Sequence, residues 1–261
     1  MSSILPTKVM RTFYFKKSPP KPSQAPQVGG SRAGKQQQQQ PQSDAGWPFP
    51  NFRLRVDDIS HPGAQVFFAN VNPDEVLRDA AWAVFSWLYT PVTVPRHVES
   101  VVLVLRSMDG VAHTMGSDIY KEIHFSLEWI AQHAHRAKDE IQGVLVHEMV
   151  HCYQHDGNGT CPTGFTEGVA DWVRLHAGFA PPHWREDGGS KWDDGYASTA
   201  YFLDWLEQSH GRGVVRTLNL TLRDRGYEDN LFKEHTGKKV TKLYSLYRES
   251  LTQKKAQSVP N

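Results

Sequence analysis

Residues 139–154 read DEIQGVLVHEMVHCYQ, and they carry the clearest structural and chemical pattern in the chain. Its apolar residues recur at helical spacing, which predicts a single helix. His147 and His151 are four residues apart, so their imidazoles lie on one face of that helix and can both reach one zinc ion. Glu148 follows the first histidine and projects beside such an ion, where it can take a proton from bound water.

The residues around the two histidines are apolar, as in a buried metal-binding helix. They are Ile141, Val144, Leu145 and Val150. The alternative interpretation is an exposed helix with two solvated histidines, and the apolar neighbours argue against it. A five-residue motif also matches by chance, so the zinc site is a hypothesis that depends on this context.

A catalytic zinc ion needs a third protein ligand and one open coordination position. Downstream, Glu167 and Asp171 lie four residues apart on a second predicted helix, 165–177. Glu167 can bind the ion, and Asp171 can accept a hydrogen bond from the free ring nitrogen of a histidine ligand. The same order occurs in gluzincin-type metallopeptidases, but the 16 positions from His151 to Glu167 are few for that group. Asp171 therefore stays the alternative ligand, and a solvated acid pair beside Arg174 is the alternative to any metal role.

A wider set of residues follows the same pattern as one known family. These are the segments 122–126, 143–151, Gln154, Pro162, Gly164, 167–174, 191–196 and 199–203. Together they resemble the basic secretory protein family, a group regarded as zinc peptidases in plants, bacteria and fungi, over roughly residues 50–250. The resemblance implies an α+β, zincin-like fold, with a small twisted N-terminal sheet, helices that include the zinc-motif helix, and a C-terminal helical subdomain.

The motif and the resemblance together predict a zinc-dependent peptidase, in the first place an endopeptidase, that cleaves peptide or protein substrates. In this interpretation the two histidines and Glu167 hold Zn²⁺, and Glu148 is the general base. The oxyanion of the reaction needs a further donor, and Tyr196 in the family-like segment 194–196 is the candidate. The alternative for Tyr196 is an aromatic side chain that packs at a helix start.

Two further expectations concern the cleft. Lesser candidates for the oxyanion donor are Tyr153, His176 and Tyr201. By analogy with other zinc peptidases, a strand at 122–127 would form the cleft edge and pair with an extended substrate backbone.

The order of predicted elements indicates the fold class. Strands mixed with a helix come first and helices follow, which is typical of an α+β fold with a helical C-terminal half. Alternation predicts that the strand 122–128 has one solvent-exposed face. The strands are 52–56, 101–105 and 122–128, and the other helices are 72–89, 197–208, 214–223 and 240–251.

Charge is distributed unevenly along the chain. The formal net charge is +1, yet residues 1–43 carry seven Lys or Arg and no acid. The Pro- and Gln-rich segment 1–45 is predicted to be a disordered basic tail. Residues 46–253 are predicted to be one metallopeptidase domain, with a flexible C-terminus over 254–261. The acidic body gives no support for nucleic-acid binding by the folded domain.

The remaining expectations concern localisation and assembly. Residues 1–15 lack an apolar signal segment, which favours the cytoplasm, whereas the family resemblance implies secretion. No membrane span is predicted, because no stretch of about 20 apolar residues occurs. Cys152 and Cys161 are predicted to be free thiols, with one local disulfide as the alternative. We expect a monomer.

Two other functions stay open at this level. The first is a zinc-containing protein of the same fold that no longer cleaves and instead binds peptides or glycans, for example in defence. The second is an interaction protein whose basic tail does the work while the metal is structural. The presence of Glu148 favours the peptidase, because a structural metal site needs no general base.

Overall fold

The computed structural model describes residues 46–257. The predicted disordered tail at 1–45 therefore lies outside the described residues, as do the last four positions of the predicted C-terminal segment. Within residues 46–257, no helix is long and apolar enough to cross a membrane.

The N-terminal half contains a small mixed sheet of four strands, arranged in the order β1-β2-β4-β3. β2 pairs in parallel with both β1 and β4, whereas β3 pairs only with β4 and is antiparallel to it. β3 is therefore an edge strand, and β4 is an internal one. The strands are β1 Asn51–Val56, β2 Ser100–Arg106, β3 Ala112–Gly116 and β4 Tyr120–Ser126.

Nine α-helices complete the part of the chain that the structure describes, and after β4 every regular element is helical. This confirms the predicted α+β class with a helical C-terminal half. The helices are α1 Pro62–Asn70, α2 Pro73–Leu88, α3 Leu127–Gln132, α4 Ala137–Tyr153, α5 Thr163–His176, α6 Tyr196–His210, α7 Val214–Thr221, α8 Leu231–Thr236 and α9 Val240–Gln257.

The start of α2 follows the predicted pattern. The side chain of Asn72 accepts a hydrogen bond from the backbone N–H of Asp74, at 3.0 Å. Pro73 occupies the first turn, where its missing N–H costs nothing, and acids follow it at the positive end of the helix dipole. Local sequence therefore places this helix correctly.

The prediction for strand 122–128 is wrong in two respects. The strand ends at Ser126, because the Ser126 hydroxyl accepts a hydrogen bond from the backbone N–H of Trp129 and caps α3. Its alternate face is also not solvated, since His124 is only 4% exposed. The His124 ring stacks on that of His113, its directly opposite partner on β3, with ring centroids 4.9 Å apart.

The zinc-motif helix α4 lies at the centre of the molecule. It packs against α2, α5 and the β3–β4 hairpin. Apolar side chains surround it on several faces, and the motif residues His147 and Glu148 are only 9% and 6% exposed. This position brings the motif under the edge strand β3 and against α5.

Candidate metal centre and active site

Three side chains from α4 and α5 converge on one point. His147 and His151 lie one turn apart on α4, and their Nε2 atoms are 3.1 Å apart. The Oε2 atom of Glu167 on α5 lies 3.2 Å from Nε2 of His147 and 3.7 Å from Nε2 of His151. These three groups form the one cluster within residues 46–257 whose ligand atoms could hold a single metal ion.

The spacing of these atoms fits a small tetrahedral ion. Zinc binds histidine nitrogen and carboxylate oxygen at about 2.0–2.2 Å, so its ligand atoms lie about 3.3 Å apart in a tetrahedron. The three observed separations of 3.1, 3.2 and 3.7 Å lie close to that value. Two imidazoles and one carboxylate are also a donor set that suits zinc.

Two neighbouring residues orient the histidine rings. Asp171 Oδ1 lies 2.7 Å from Nδ1 of His147, on the side of the ring opposite the convergence point. The side-chain amide of Gln154 lies 2.6 Å from Nδ1 of His151. A ring that binds an ion through Nε2 carries its proton on Nδ1, so the Gln154 amide must turn its oxygen to Nδ1 when the ion is bound. Because both Nδ1 atoms are engaged, both Nε2 atoms are directed at the third group, Glu167. Asp171 therefore supports a ring, whereas Glu167 lies within ligand range.

The electrostatics of the site favour positive charge. Burial lowers the pKa of His147, but the carboxylates of Asp171 and Glu167 outweigh burial and raise it to about 10. For Glu167, burial raises the pKa, and the imidazoles of His151 and His147 outweigh it, holding the pKa well below its usual range. A divalent cation would supply the positive charge that these buried carboxylates stabilise.

Glu148 is held by a residue of the edge strand. The hydroxyl of Thr114 on β3 lies 2.7 Å from Oε2 of Glu148 and 3.0 Å from its backbone oxygen. The contact ties the carboxylate to the strand that borders the site. It also fixes which way the buried carboxylate points, since a donated hydrogen bond to a charged group is short and directional.

Tyr196 lies against the first histidine. Its ring is roughly parallel to that of His147, at a centroid distance of 6.1 Å. Its backbone has φ = 47°, in the left-handed region that a bulky residue seldom adopts. Such strain persists only where the surroundings impose it, and it marks functional sites. Burial and the carboxylates of Glu167 and Asp171 raise the pKa of Tyr196, so its hydroxyl stays protonated at neutral pH.

The three converging groups, Glu148 and Tyr196 line one cavity of about 540 Å³. This size is typical of small-ligand sites. The structure thus brings together every residue that the motif and the resemblance predicted for the site, including Asp171. The lesser candidates Tyr153, His176 and Tyr201 do not line this cavity.

The predicted cleft edge is wrong. The sequence placed it at 122–127, but β4 is paired on both sides and has no free edge. Strand β3 borders the cavity instead, with Ala112, His113 and Thr114 in its lining. Sequence patterns did not predict β3, because the strand is short and lacks alternating apolar residues. For the same reason nothing in the sequence marked Thr114 as a site residue.

The two cysteines play no part in the convergence. Both are thiols rather than disulfide partners, as predicted, with Cys152 buried and Cys161 partly buried. Burial raises the pKa of the Cys152 thiol far above its ordinary value. A thiol that stays protonated is a poor nucleophile, which excludes it from this chemistry.

The fold and the site together define a protein in which a helix pair that could hold a metal ion lies beside the edge strand of a small sheet. Comparison with family models gives a match over residues 49–247 to the basic secretory protein family, described as a peptidase of plants and bacteria. The chain belongs to this family, as its motifs predicted. Searches among curated proteins and among solved structures gave no match.

Proposed function

We propose that the protein is a zinc-dependent peptidase, and in the first place an endopeptidase. The observation that carries the proposal is the convergence of His147, His151 and Glu167, with buried Glu148 beside them in one cavity. The peptidase label of the family supports the same conclusion. We also propose that one zincin-like domain, beginning near residue 46, contains the whole site.

In this proposal the two histidines and Glu167 hold the ion, and Asp171 keeps the ring of His147 in place. A divalent ion so held supplies Lewis-acid chemistry, since it acidifies water and polarises a carbonyl oxygen. The carboxylate of Glu148 takes a proton from the attacking water and later gives it to the leaving amine. The Glu148 side chain is buried and aimed by Thr114, so it is ready for this transfer.

The substrate backbone pairs with β3. That strand offers free N–H and C=O groups on the side away from β4, and an extended peptide can add to such an edge. The hydroxyl of Tyr196 then donates to the oxyanion that forms at the attacked carbonyl. Its position beside His147 and its protonated state support this role.

The central test compares the unaltered chain with Glu148→Gln. We expect about one zinc ion per chain in both proteins, with casein cleavage in the unaltered chain alone. Loss of the general base is expected to reduce cleavage by at least about 10²–10⁴-fold. A chelator should abolish cleavage and added zinc should restore it. Zinc bound at one per chain without any cleavage would instead support the binding-protein alternative.

The third ligand is tested with a matched pair of substitutions on α5, Glu167→Gln and Asp171→Asn. Both remove one negative charge and keep side-chain size. We expect Glu167→Gln to lose zinc on gel filtration, because a ligand is gone. Asp171→Asn should keep zinc but bind it about 10–100-fold more weakly, since only ring orientation is affected. The reverse result would make Asp171 the ligand.

A further inference from the structure

The cavity extends well beyond the converging groups. On α4, Val144 and Glu140 lie three and seven residues before His147, and on α5, Arg174 lies seven residues after Glu167. Seven helical residues span about 10 Å. Since Arg174 and Glu140 meet, the groove between α4 and α5 continues for about two helical turns from the proposed ion site.

Apolar and aromatic residues make up much of the cavity wall beyond the converging groups. Trp184, from the segment between α5 and α6, lies against Arg174, and Trp129 of α3 also lines the cavity. The other apolar lining residues are Val111, Ala112, Val144, Pro181 and Ala197, whereas the charged lining residues Arg185 and Asp187 are solvent-exposed. We call the part of the cavity bounded by Val144, Trp129, Trp184, Arg174 and Glu140 the side-chain subsite.

The far end of the side-chain subsite is polar, and its charges are already paired. The Nε atom of Arg174 donates to the backbone oxygen of Phe179 at 3.0 Å, and its Nη2 atom lies 3.5 Å from Oε2 of Glu140. Arg136 binds the other oxygen of Glu140 at 2.7 Å. An additional charge placed beside Arg174 and Glu140 would find both of these buried groups already engaged.

The Arg174 guanidinium is also covered on its faces. The ring of Trp184 lies over it, with the Cζ atom 5.4 Å from the ring centroid. On the other side is Gly143 of α4, where an added Cβ would come within 2.6 Å of the Arg174 Nε atom. The absence of a side chain at Gly143 thus allows the cation to lie flat on α4 beneath Trp184, so that the indole, rather than the guanidinium face, is offered to the cavity.

We infer that the side-chain subsite binds a large uncharged side chain, aliphatic or aromatic, of the substrate residue next to the scissile bond. The inference rests on the proposed peptidase function and adds the substrate class to it. Two indoles and Val144 offer apolar contact, and burying such a side chain is favourable. An acidic or basic side chain would lose its hydration and find the charges of Arg174 and Glu140 already engaged.

Cleavage profiling tests the inference directly. The full-length protein is given a proteome-derived peptide library, and the new termini are read by mass spectrometry. We expect Leu, Ile, Met or Phe to exceed Asp, Glu, Lys and Arg at least about tenfold at one position beside the cut. Cleavage with no such preference, or with a preference for charged residues, overturns the subsite while leaving the peptidase intact.

Peptide binding by Glu148→Gln separates the subsite from the chemistry. A series that differs only at the profiled position, with Leu, Phe, Ala, Asp or Lys, is titrated by calorimetry. If profiling gives no cuts, the varied residue is scanned along the peptide. Tighter binding of the Leu and Phe peptides, at least about tenfold over Asp and Lys, supports the subsite even if the wild type does not cleave. Equal affinity across the series overturns it.

A matched pair of tryptophan substitutions localises the preference. Trp184→Ala in the Glu148→Gln background removes a wall and uncovers Arg174, so the preference for Phe over Asp should fall at least about fivefold. Trp82→Ala, a half-buried tryptophan on α2 outside this cavity, should keep it. Thermal melting checks that both variants fold. An unchanged preference for Phe over Asp in a folded Trp184→Ala protein contradicts the assigned location of the subsite. If that variant does not fold, the binding of the peptide series to Glu148→Gln decides whether the subsite exists.

Discussion

At the residue scale, Thr114 is the contact that most directly prepares the proposed general base. Its hydroxyl is within hydrogen-bond distance of both the carboxylate and the backbone oxygen of Glu148. No ion ligand contacts Thr114 in the structure. It is therefore a positioning residue, which acts through Glu148 rather than on the substrate.

We predict that Thr114→Val lowers kcat about 10-fold with little change in KM. Valine keeps the shape but removes the donor, so the Glu148 carboxylate loses its fixed direction while substrate binding persists. Steady-state kinetics on a peptide substrate measure the split. Thr114→Ser retains the hydroxyl and should recover most of kcat. A fall in kcat that serine does not rescue would assign Thr114 a packing role only.

The residues of the site divide by how far apart they lie in sequence. His147, Glu148 and His151 belong to one helical turn, so spacing alone predicts their common direction. Thr114 lies 34 residues before Glu148, on a strand without a pattern of its own. Its contact depends on the pairing of β3 with β4, which local sequence does not encode.

At the element scale, the close approach of α5 and α6 positions Tyr196. α6 begins at Tyr196, and α5 carries Glu167 and Asp171. Gly168 lies between those two carboxylates in sequence, and a Cβ there would come within 2.2 Å of the Cγ2 atom of Thr199 on α6. The missing side chain at Gly168 therefore sets the distance between the two helices and keeps Tyr196 beside His147.

We predict that Gly168→Ala destabilises the fold by about 1–3 kcal/mol, because overpacking outweighs the better helix propensity of alanine. Urea unfolding measures the loss. Peptide turnover should fall by more than the loss of folded protein explains, because a displaced α6 moves Tyr196 away from His147. Zinc content should stay near one ion per chain. A more stable Gly168→Ala protein would contradict the tight contact.

Gly178→Ala provides the control for this substitution. Gly178 has φ = 86° and no atom within 4 Å of an added Cβ. Alanine there costs about 1–2 kcal/mol of backbone strain without pressing on α6. The two variants should thus unfold at similar urea concentrations, and only Gly168→Ala should lose turnover.

Elements differ in how well sequence predicted them. α2, α4 and α5 are long and periodic, and α2 also has a side-chain cap, so their local signals were sufficient. α1, α3, α8 and β3 were missed, and each has nine residues or fewer. Short elements have little periodicity of their own and are stabilised mainly by packing, as where α1 and α3 lie against each other.

At the scale of the whole molecule, His155 joins the end of the zinc-motif helix to the C-terminal helices. Its backbone N–H donates to Oδ1 of Asn219 on α7, at 3.0 Å. Burial, with the nearby positive Arg223, lowers the pKa of His155 to about 4. The ring is therefore neutral in the fold, and its buried Nε2 atom has no hydrogen-bond partner among the described residues.

We predict that His155 makes the protein less stable as pH falls from about 6.5 to about 4. An unfolded histidine has a pKa of about 6.5, so in this window the unfolded chain binds a proton that the fold excludes. The contribution is on the order of 1–2 kcal/mol, reduced because the ring is partly exposed to solvent. Urea unfolding of the wild type and of His155→Gln between pH 4 and 7.5 measures it.

The comparison of the two proteins isolates the contribution of His155, because protonation of the carboxylates destabilises both proteins equally. His155→Gln cannot titrate, so its stability should fall less steeply below pH 6.5. If the two curves of unfolding free energy against pH ran parallel below pH 6.5, the lowered pKa of His155 would be contradicted. Above pH 7 the two curves should run parallel, because the histidine is neutral in both the folded and the unfolded state.

From the sequence alone follow the zinc-motif helix, the α+β class, the family and the residues of the site other than Thr114. These depend on spacing within one helix, on the order of the elements or on short motifs, all of which are visible along the chain. Tertiary structure decided the rest: that β3 is the edge, that Glu167 lies within ligand range while Asp171 supports a ring, and that Arg174 lies on Gly143. These contacts join segments far apart in sequence, and packing of whole elements fixes them.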